Sequence, residues 1–180
     1  DGSTTIYKPY PGEPGDASTV AYYRPGQMQS LSDQSASGYT MTSQNGAAIV
    51  ASGLSLDTTA AKHAVTASSI NLSGADAVTM EAWARWTGGE IADGVLRRLL
   101  RWETATPSQY ITLLLYGQAA GPPKILSQAY IGSPPSNSNQ SATLTAAQWA
   151  ALQAGQCHLE ACVDVAAGKH RVWFNGKLVV

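Results

Sequence analysis

Two short segments of this 180-residue chain carry residue types that suit sugar binding. Trp83 lies two residues from Glu81 and from Arg85, and Trp173 lies two residues from Arg171. A tryptophan ring can stack on the C–H face of a pyranose, while planar charged groups beside it bond the hydroxyls. Residues two apart in a strand share one face, so each segment could form such a site. We therefore take Glu81, Trp83, Arg85, Arg171 and Trp173 as candidate ligand-binding residues.

A glycosidase would need two carboxylates at a defined separation. Glu160 and Asp164 share a face of one predicted strand, but they lie about 13 Å apart along it. Retaining glycosidases hold their carboxyl groups roughly 5 Å apart, and inverting ones at most about 9.5 Å apart. Glu81 has no second carboxylate on its own strand, and Cys157 and His158 point to opposite faces. Because the sequence also has no Gly-x-Ser-x-Gly motif, it predicts a non-catalytic protein.

The cysteines and histidines follow no metal-binding spacing. Cys157 and Cys162 would lie about 16 Å apart along one strand, on opposite faces, which is beyond disulfide reach. His63, His158 and His170 are too widely separated in sequence to suggest a shared ion. We therefore expect two free cysteines, and metal ligands are left unassigned.

Composition excludes several classes of protein. The chain is 44% hydrophobic and 13% charged, which is typical of a folded domain. Its net charge of −1 gives no general affinity for phosphate backbones, and no apolar run reaches the roughly 20 residues of a membrane-spanning helix. The one basic cluster, Arg97, Arg98 and Arg101, is interpreted as a charged strand edge, with an acidic polysaccharide as the alternative partner. We expect no nucleic-acid binding and no membrane insertion.

Short alternating runs between turn residues predict an all-β fold. Residues 1–19 are rich in Pro, Gly, Ser and Thr and are interpreted as a linker or extended N-terminal arm, with the domain at 20–180. The Ser- and Pro-rich stretch 132–143 is predicted to be an exposed loop and a reasonable place for recognition. Asn175-Gly176 predicts a tight type I′ hairpin. Strands are predicted at 53–57, 62–66, 78–86, 109–116, 124–131, 157–165, 171–174 and 177–180.

One helix is predicted within this β-rich pattern, near 145–154. The four residues from Thr145 match a capping box, and strong helix formers follow them. Trp149 and Leu152 would form the buried stripe, and Gly155 would end the helix as a C′ glycine.

Several segments, in order, resemble one known family. AVTMEAWARW is similar to a hallmark Thr-x-Glu-x-Trp strand, CHLEACVD to a His-apolar-x-apolar-x-x-Asp strand, and HRVWFNGKLVV to an aromatic-apolar-Asn-Gly hairpin. Over 22–176 the chain thus resembles the laminin-G-like, or concanavalin A-like lectin/glucanase, jelly-roll family. The resemblance implies a two-sheet antiparallel β-sandwich (jelly roll). An insertion at 146–156 departs from the family pattern. The family also continues past this hairpin, so further strands are expected beyond Val180, unless the N-terminal region substitutes for them.

The resemblance carries its own implications for the candidate residues. In the family, the residue matching His158 is a structural hydrogen-bonding partner, and the hallmark tryptophan often packs beneath a loop or between the sheets. The glucanases of the family use paired carboxylates on one strand, an arrangement that this sequence does not contain. Calcium is common in the family and is the one cofactor considered. Asp57, Asp76, Asp93 and Asn175 offer loop oxygens of the kind that calcium takes, but they form no recognisable cluster, so no calcium ligands are assigned.

We therefore expect a non-catalytic recognition or adhesion module of a larger protein. Its partners would be a glycan or cell-surface polysaccharide and other subunits of a larger assembly. The linker-like arm, the free cysteines and a chain that opens at Asp1 without a leader favour a virion, such as a phage tail, or an extracellular location. A structural spacer that makes protein–protein contacts is the alternative, and it requires Trp83 and Trp173 to be buried. A glycoside hydrolase-related domain is the third hypothesis.

Overall fold

The computed structural model describes residues 30–33, 35, 37–50, 53–56, 63–66, 68, 70, 72, 75–103, 109–132, 135–165 and 167–180. The predicted arm 1–19 and the loop residue Asp57 lie outside the described residues. The chain divides into two compact units, residues 1–71 and 72–180. Within the described ranges, no helix has both the length and the apolar character needed to cross a membrane.

The first unit contains two small antiparallel strand pairs. Strand β1 (Met41–Gln44) pairs with β4 (His63–Thr66), and β2 (Ala48–Val50) pairs with β3 (Gly53–Ser55). Strands β3 and β4 confirm the short strands that were predicted at 53–57 and 62–66. The described side chains of these four strands are all exposed or half-buried.

Among the residues that the structure describes, the second unit contains two four-stranded antiparallel sheets and one short helix, which confirms the predicted all-β sandwich. Sheet I has the strand order β12-β11-β10-β5, and sheet II has the order β6-β7-β8-β9. The bounds are β5 Ala77–Ala84, β6 Leu96–Glu103, β7 Tyr110–Tyr116, β8 Lys124–Gly132, β9 Pro135–Thr143, α1 Ala146–Ala154, β10 Cys157–Asp164, β11 Lys169–Phe174 and β12 Lys177–Leu178.

The core lies between the two sheets, and side chains from alternate positions of β10 contribute to it. Every second residue of β10, from Cys157 through Leu159 and Ala161 to Val163, is buried. These side chains meet residues of sheet II such as Leu113 in two neighbouring clusters. Each large apolar side chain buried in this way stabilises the fold by roughly 1.5–3 kcal/mol. The opposite face of sheet I is consequently left for polar and functional side chains.

The helix forms as the sequence predicts at its start and differently at its end. The Thr145 hydroxyl accepts the Gln148 N–H at 3.2 Å, and the Gln148 side-chain oxygen accepts the Thr145 N–H at 2.8 Å, which confirms the capping box. Leu152 is buried and Trp149 packs against the same core. Gly155 is extended, with φ −156°, so the predicted left-handed C′ conformation is wrong. The chain enters β10 directly after the helix and needs extended backbone there.

The predicted loop at 132–143 is also wrong, because most of it forms strand β9. This strand pairs with β8 along its whole length, from Thr143 opposite Lys124 to Pro135 opposite Gly132. Serine and asparagine have low β propensity, but pairing with a neighbouring strand outweighs that preference. Strand β9 lies at the edge of sheet II and begins at its proline, a position where a missing N–H is tolerated.

Three smaller predictions agree with the structure. Asn175 and Gly176 both have positive φ, 49° and 74°, as a type I′ turn requires. The arginine-containing strand β6 lies at the edge of sheet II, as the charged-edge interpretation requires. Cys157 and Cys162 are free, and they lie on opposite faces of β10.

Candidate functional site

The face of sheet I that points away from the core, called the outer face below, collects the chemically interesting side chains. Strands β5 and β10 are antiparallel neighbours in a register that sets Trp83 opposite His158 and Glu81 opposite Glu160. Directly opposite residues in such a pair have Cβ atoms about 4.5–5.5 Å apart. The alternation that sends Leu159 into the core therefore places both glutamates and both rings together outside it.

Strand β11 adds two of the predicted residues to the same face. Trp173 lies opposite Glu160, and Arg171 lies opposite Cys162. The outer face thus brings together four of the five predicted ligand-binding residues, namely Glu81, Trp83, Arg171 and Trp173. The fifth is held apart from them: Arg85 follows the end of β5, and its Nε donates to the carbonyl of Gln153 in α1 at 3.2 Å.

The two tryptophans of this face differ in exposure. Trp83 is 57% exposed, the largest exposed fraction among the large hydrophobic residues that the structure describes. Its ring centroid lies 5.2 Å from that of His158, with the rings tilted by 43°. Trp173 is half-buried. Trp83 is therefore the aromatic surface that a ligand can reach.

Beside Trp83 lies a compact group of Glu81, His158 and Glu160, called the Glu–His–Glu cluster below. His158 Nε2 and Glu81 Oε2 are 3.1 Å apart, and one potential ligand atom of each residue lies within 4.8 Å of the others. Asn175 holds the backbone of His158 in place, because its Oδ1 accepts the His158 N–H and its own N–H donates to the His158 carbonyl, both at 2.8 Å. The hairpin turn thus fixes the backbone position of the histidine that belongs to the cluster.

Glu160 is the most unusual member of the cluster. It is only 5% exposed although it lies on the outer face. Burial raises the pKa of its carboxyl group, and the charge of Glu81 raises it further, while His158 opposes both effects. Among the described residues, no hydrogen bond or ion pair to the Glu160 side chain is found. The cluster thus contains a buried carboxylate that has no hydrogen bond or ion pair from the described residues, and His158 is the nearby group that favours its charged form.

This cluster was not predicted from the sequence, because its two carboxylates lie on different strands and the predicted carboxylate pairs were restricted to single strands. Glu81 and Glu160 are far apart in sequence and meet only through the β5–β10 register. The alternation of each predicted strand places Glu81 on one face of the first strand, and His158 and Glu160 together on one face of the second. Placing these two strands side by side with those faces on the same side would have predicted the cluster. Of the loop carboxylates considered for calcium, Asp76 and Asp93 join no group of three described His, Cys, Asp or Glu side chains.

The interior face of sheet I holds a second buried histidine in a different environment. His170 Nδ1 lies 2.8 Å from Ser127 Oγ, and Nε2 lies 2.9 Å from Ser138 Oγ. A neutral imidazole donates from one nitrogen and accepts at the other, so the two hydroxyls satisfy it. Burial lowers the pKa of His170, which favours this neutral form. His170 is a structural residue that joins the two sheets.

Described residues of the second unit line a cavity on sheet I and a groove on sheet II. A small cavity of about 40 Å³ on the outer face of sheet I is lined by Cys162, Asp164, Lys169 and Arg171. A shallow groove of about 310 Å³ crosses sheet II. It is lined by Leu96, Tyr116, Lys124, Leu126, Gln128, Asn139 and Ser141. The sheet II groove is the larger region but offers one aromatic side chain and no carboxylate.

Comparison of the chain with protein-family models, with curated proteins and with solved structures finds no match. The resemblance to the laminin-G-like family therefore stays a prediction. The function is therefore inferred from the geometry of the outer face.

Proposed function

We propose that this chain is a non-catalytic glycan-recognition module that binds sugars on the outer face of sheet I. The observation that carries the proposal is the 57% exposure of Trp83 on the same strand face as Glu81, two residues away. An exposed tryptophan with an adjacent planar charged group is the combination that a pyranose recognises, through its C–H face and its hydroxyls respectively.

The β-sheet supports this role by holding the binding groups rigid. Trp83 and Glu81 lie on β5, which is paired with β10 over eight register positions from Ala77 to Ala84. Arg171 and the half-buried Trp173 lie on β11, which is also paired with β10. Groups fixed on a strand ladder lose little conformational entropy when a ligand binds, so modest contacts can suffice.

The family resemblance is a second source of support. The three segments that carry it most clearly form the adjacent strands β5, β10 and β11 of one sheet. Attachment to a larger virion or extracellular protein, with other subunits as additional partners, stays part of the proposal and rests on the resemblance and composition alone.

The structural-spacer alternative makes a different demand on the tryptophans. It expects both Trp83 and Trp173 to be buried, since contacts within the assembly would use other surfaces. Trp83 is mostly exposed and Trp173 is half-buried. The exposure of Trp83 therefore favours recognition over a spacer role.

The pairing of Glu81 with Glu160 gives a specific reason to consider glycoside hydrolysis as a second candidate. Their nearest potential ligand oxygens are within 4.8 Å, and retaining glycosidases hold their carboxyl groups about 5–5.5 Å apart. A general acid must, however, touch the glycosidic oxygen, and Glu160 is only 5% exposed. We therefore propose binding without turnover.

A glycan array tests the proposal with two matched variants. Trp83→Ala removes the exposed ring, and we expect a loss of affinity of roughly 30-fold, which corresponds to the about 2 kcal/mol of a binding hot spot. Tyr116→Ala removes the aromatic ring of the sheet II groove and should leave binding unchanged. Retention of no glycan above background would count against the proposal. A loss of glycan affinity in Tyr116→Ala would indicate that the binding site lies on sheet II. Release of fragments from a reducing-end-labelled glycan would favour the hydrolase.

A further inference from the structure

We propose that Glu81, His158 and Glu160 bind a divalent transition-metal ion of the zinc class on the outer face of sheet I. The proposal goes beyond glycan recognition and does not depend on it, because the site is defined by the cluster alone.

The distances in the cluster suit a small cation. Zinc takes nitrogen and carboxylate oxygen ligands at about 2.0–2.2 Å, so ligand atoms around a tetrahedral ion lie roughly 3.3 Å apart. His158 Nε2 and Glu81 Oε2 are already 3.1 Å apart, and all three ligand atoms lie within 4.8 Å of one another. Small rotations of the glutamate side chains would bring the third ligand in.

The condition of Glu160 is an independent observation that points to a cation. Its side chain is almost fully buried, and its carboxylate has no hydrogen-bond or ion-pair partner among the described residues. Buried ionised carboxylates are normally paired with a cation or coordinate a metal. A bound ion would compensate the charge of this buried carboxylate.

The donor set selects the kind of ion. Imidazole nitrogen suits zinc and its neighbours in the first transition series, whereas calcium and magnesium take mainly oxygen ligands. Three protein ligands leave a fourth tetrahedral position for water or another ligand. The Glu81 side chain is 34% exposed, so the ion would enter from that side. The calcium that the family resemblance implies is therefore not the ion that this cluster favours.

Trp83 provides a built-in reporter for the site. Its ring lies against the His158 ring, with 5.2 Å between centroids. Cobalt(II) replaces zinc in such sites, absorbs visible light and quenches nearby tryptophan emission. Titration with cobalt should therefore quench the emission of Trp83, and the visible spectrum should be that of a four-coordinate ion.

Calorimetric titration of the full chelator-treated chain with Zn²⁺ alone tests the proposal. We expect one ion per chain. Glu160→Gln and His158→Gln should each weaken binding by about 100-fold or more, since losing even an outer-shell partner weakens metal binding about 10- to 100-fold. Asp164→Asn, exposed on the same strand, and His63→Gln, an exposed histidine elsewhere, are the matched controls. Neither control should change the affinity.

Three results would overturn the proposal. These are the absence of zinc binding by the wild-type chain, unchanged affinity in the cluster variants, and equal weakening by His63→Gln. Glu81→Gln, at a partly exposed position, replaces Glu160→Gln or His158→Gln if either variant fails to fold. Because the titration contains no sugar, failure here leaves the glycan array result unaffected, and the reverse also holds.

Discussion

His158 and His170 lie on neighbouring strands of one sheet, at nearly the same exposure of 5% and 7%, yet they face opposite environments. His170 points into the sandwich, where the hydroxyls of Ser127 and Ser138 bond both of its ring nitrogens. His158 points to the outer face, where two glutamates approach it. Burial alone therefore does not separate a structural histidine from a functional one. The neighbouring groups do.

The same difference extends to the two faces of sheet I as a whole. The inner face is apolar apart from His170, and its polar atoms are satisfied by short contacts to sheet II. The outer face concentrates charged groups, and it includes a buried carboxylate without a described partner. His170 on the inner face should therefore contribute to stability, whereas the buried carboxylate of Glu160 on the outer face should reduce it when no ligand is bound.

The largest expected effect is that of His170→Ala on stability. The change leaves Ser127 and Ser138 without their buried partner and opens a cavity, so we expect a loss of about 3 kcal/mol in the free energy of unfolding. Urea unfolding followed by tryptophan fluorescence measures it. His158→Gln is the comparison variant and should lose less, because it lies outside the core. A larger loss for His158→Gln would reverse the assignment of the two histidines.

A smaller effect of opposite sign is expected from Glu160→Gln. With chelator present at pH 7, removing the charge should raise the free energy of unfolding by about 1 kcal/mol. Since the pKa of Glu160 is raised in the folded state, its contribution to stability is present at low pH and lost as pH rises through that pKa. The advantage of the variant over wild type should therefore grow with pH.

The control for this change is Asp164→Asn. Asp164 is exposed on the same strand, and its substitution should alter stability by no more than about 0.5 kcal/mol. Destabilisation by Glu160→Gln in chelator would show that the buried carboxylate already has a stabilising partner, and the contrast between the two faces would fail.

The smallest expected effect is the pH dependence that comes from His170. Its pKa is lowered in the folded state, so its contribution is present above the unfolded value of 6.5 and is lost as pH falls through the folded value. Glu160 changes stability in the opposite direction over acidic pH, so the measurement is the difference between wild type and His170→Gln. That difference should shrink toward low pH. A difference that is independent of pH would mean that His170 does not titrate with folding.

Features that depend only on the alternation of side chains along one strand could be predicted from the sequence. The period of two in 78–86 and 157–165 places Met80 and Leu159 inward and Glu81 and Glu160 outward, as the structure has them. Four of the five candidate residues therefore lie on one face. The capping box and the Asn-Gly turn are equally local and were predicted correctly.

The sequence was insufficient where the partner strand decides the outcome. Strand β9 has the serine and asparagine content of a loop, and only its pairing with β8 makes it a strand. The meeting of Glu81 with Glu160 depends on strand register, which no local pattern specifies. Arg85 was grouped with Trp83 by spacing alone, but the helix carbonyl of Gln153 holds its guanidinium.

The alternation of β10 has a consequence for engineering and for natural divergence. Positions 157, 159, 161 and 163 are committed to the interior, while 158, 160, 162 and 164 belong to the outer face. The exposed position 164 can therefore be randomised, together with the exposed outer-face positions 79, 83 and 171, while every interior side chain is kept. Such a library would explore new specificities on an unchanged scaffold, much as hypervariable loops do in antibodies, but with the diversity carried by a rigid ladder.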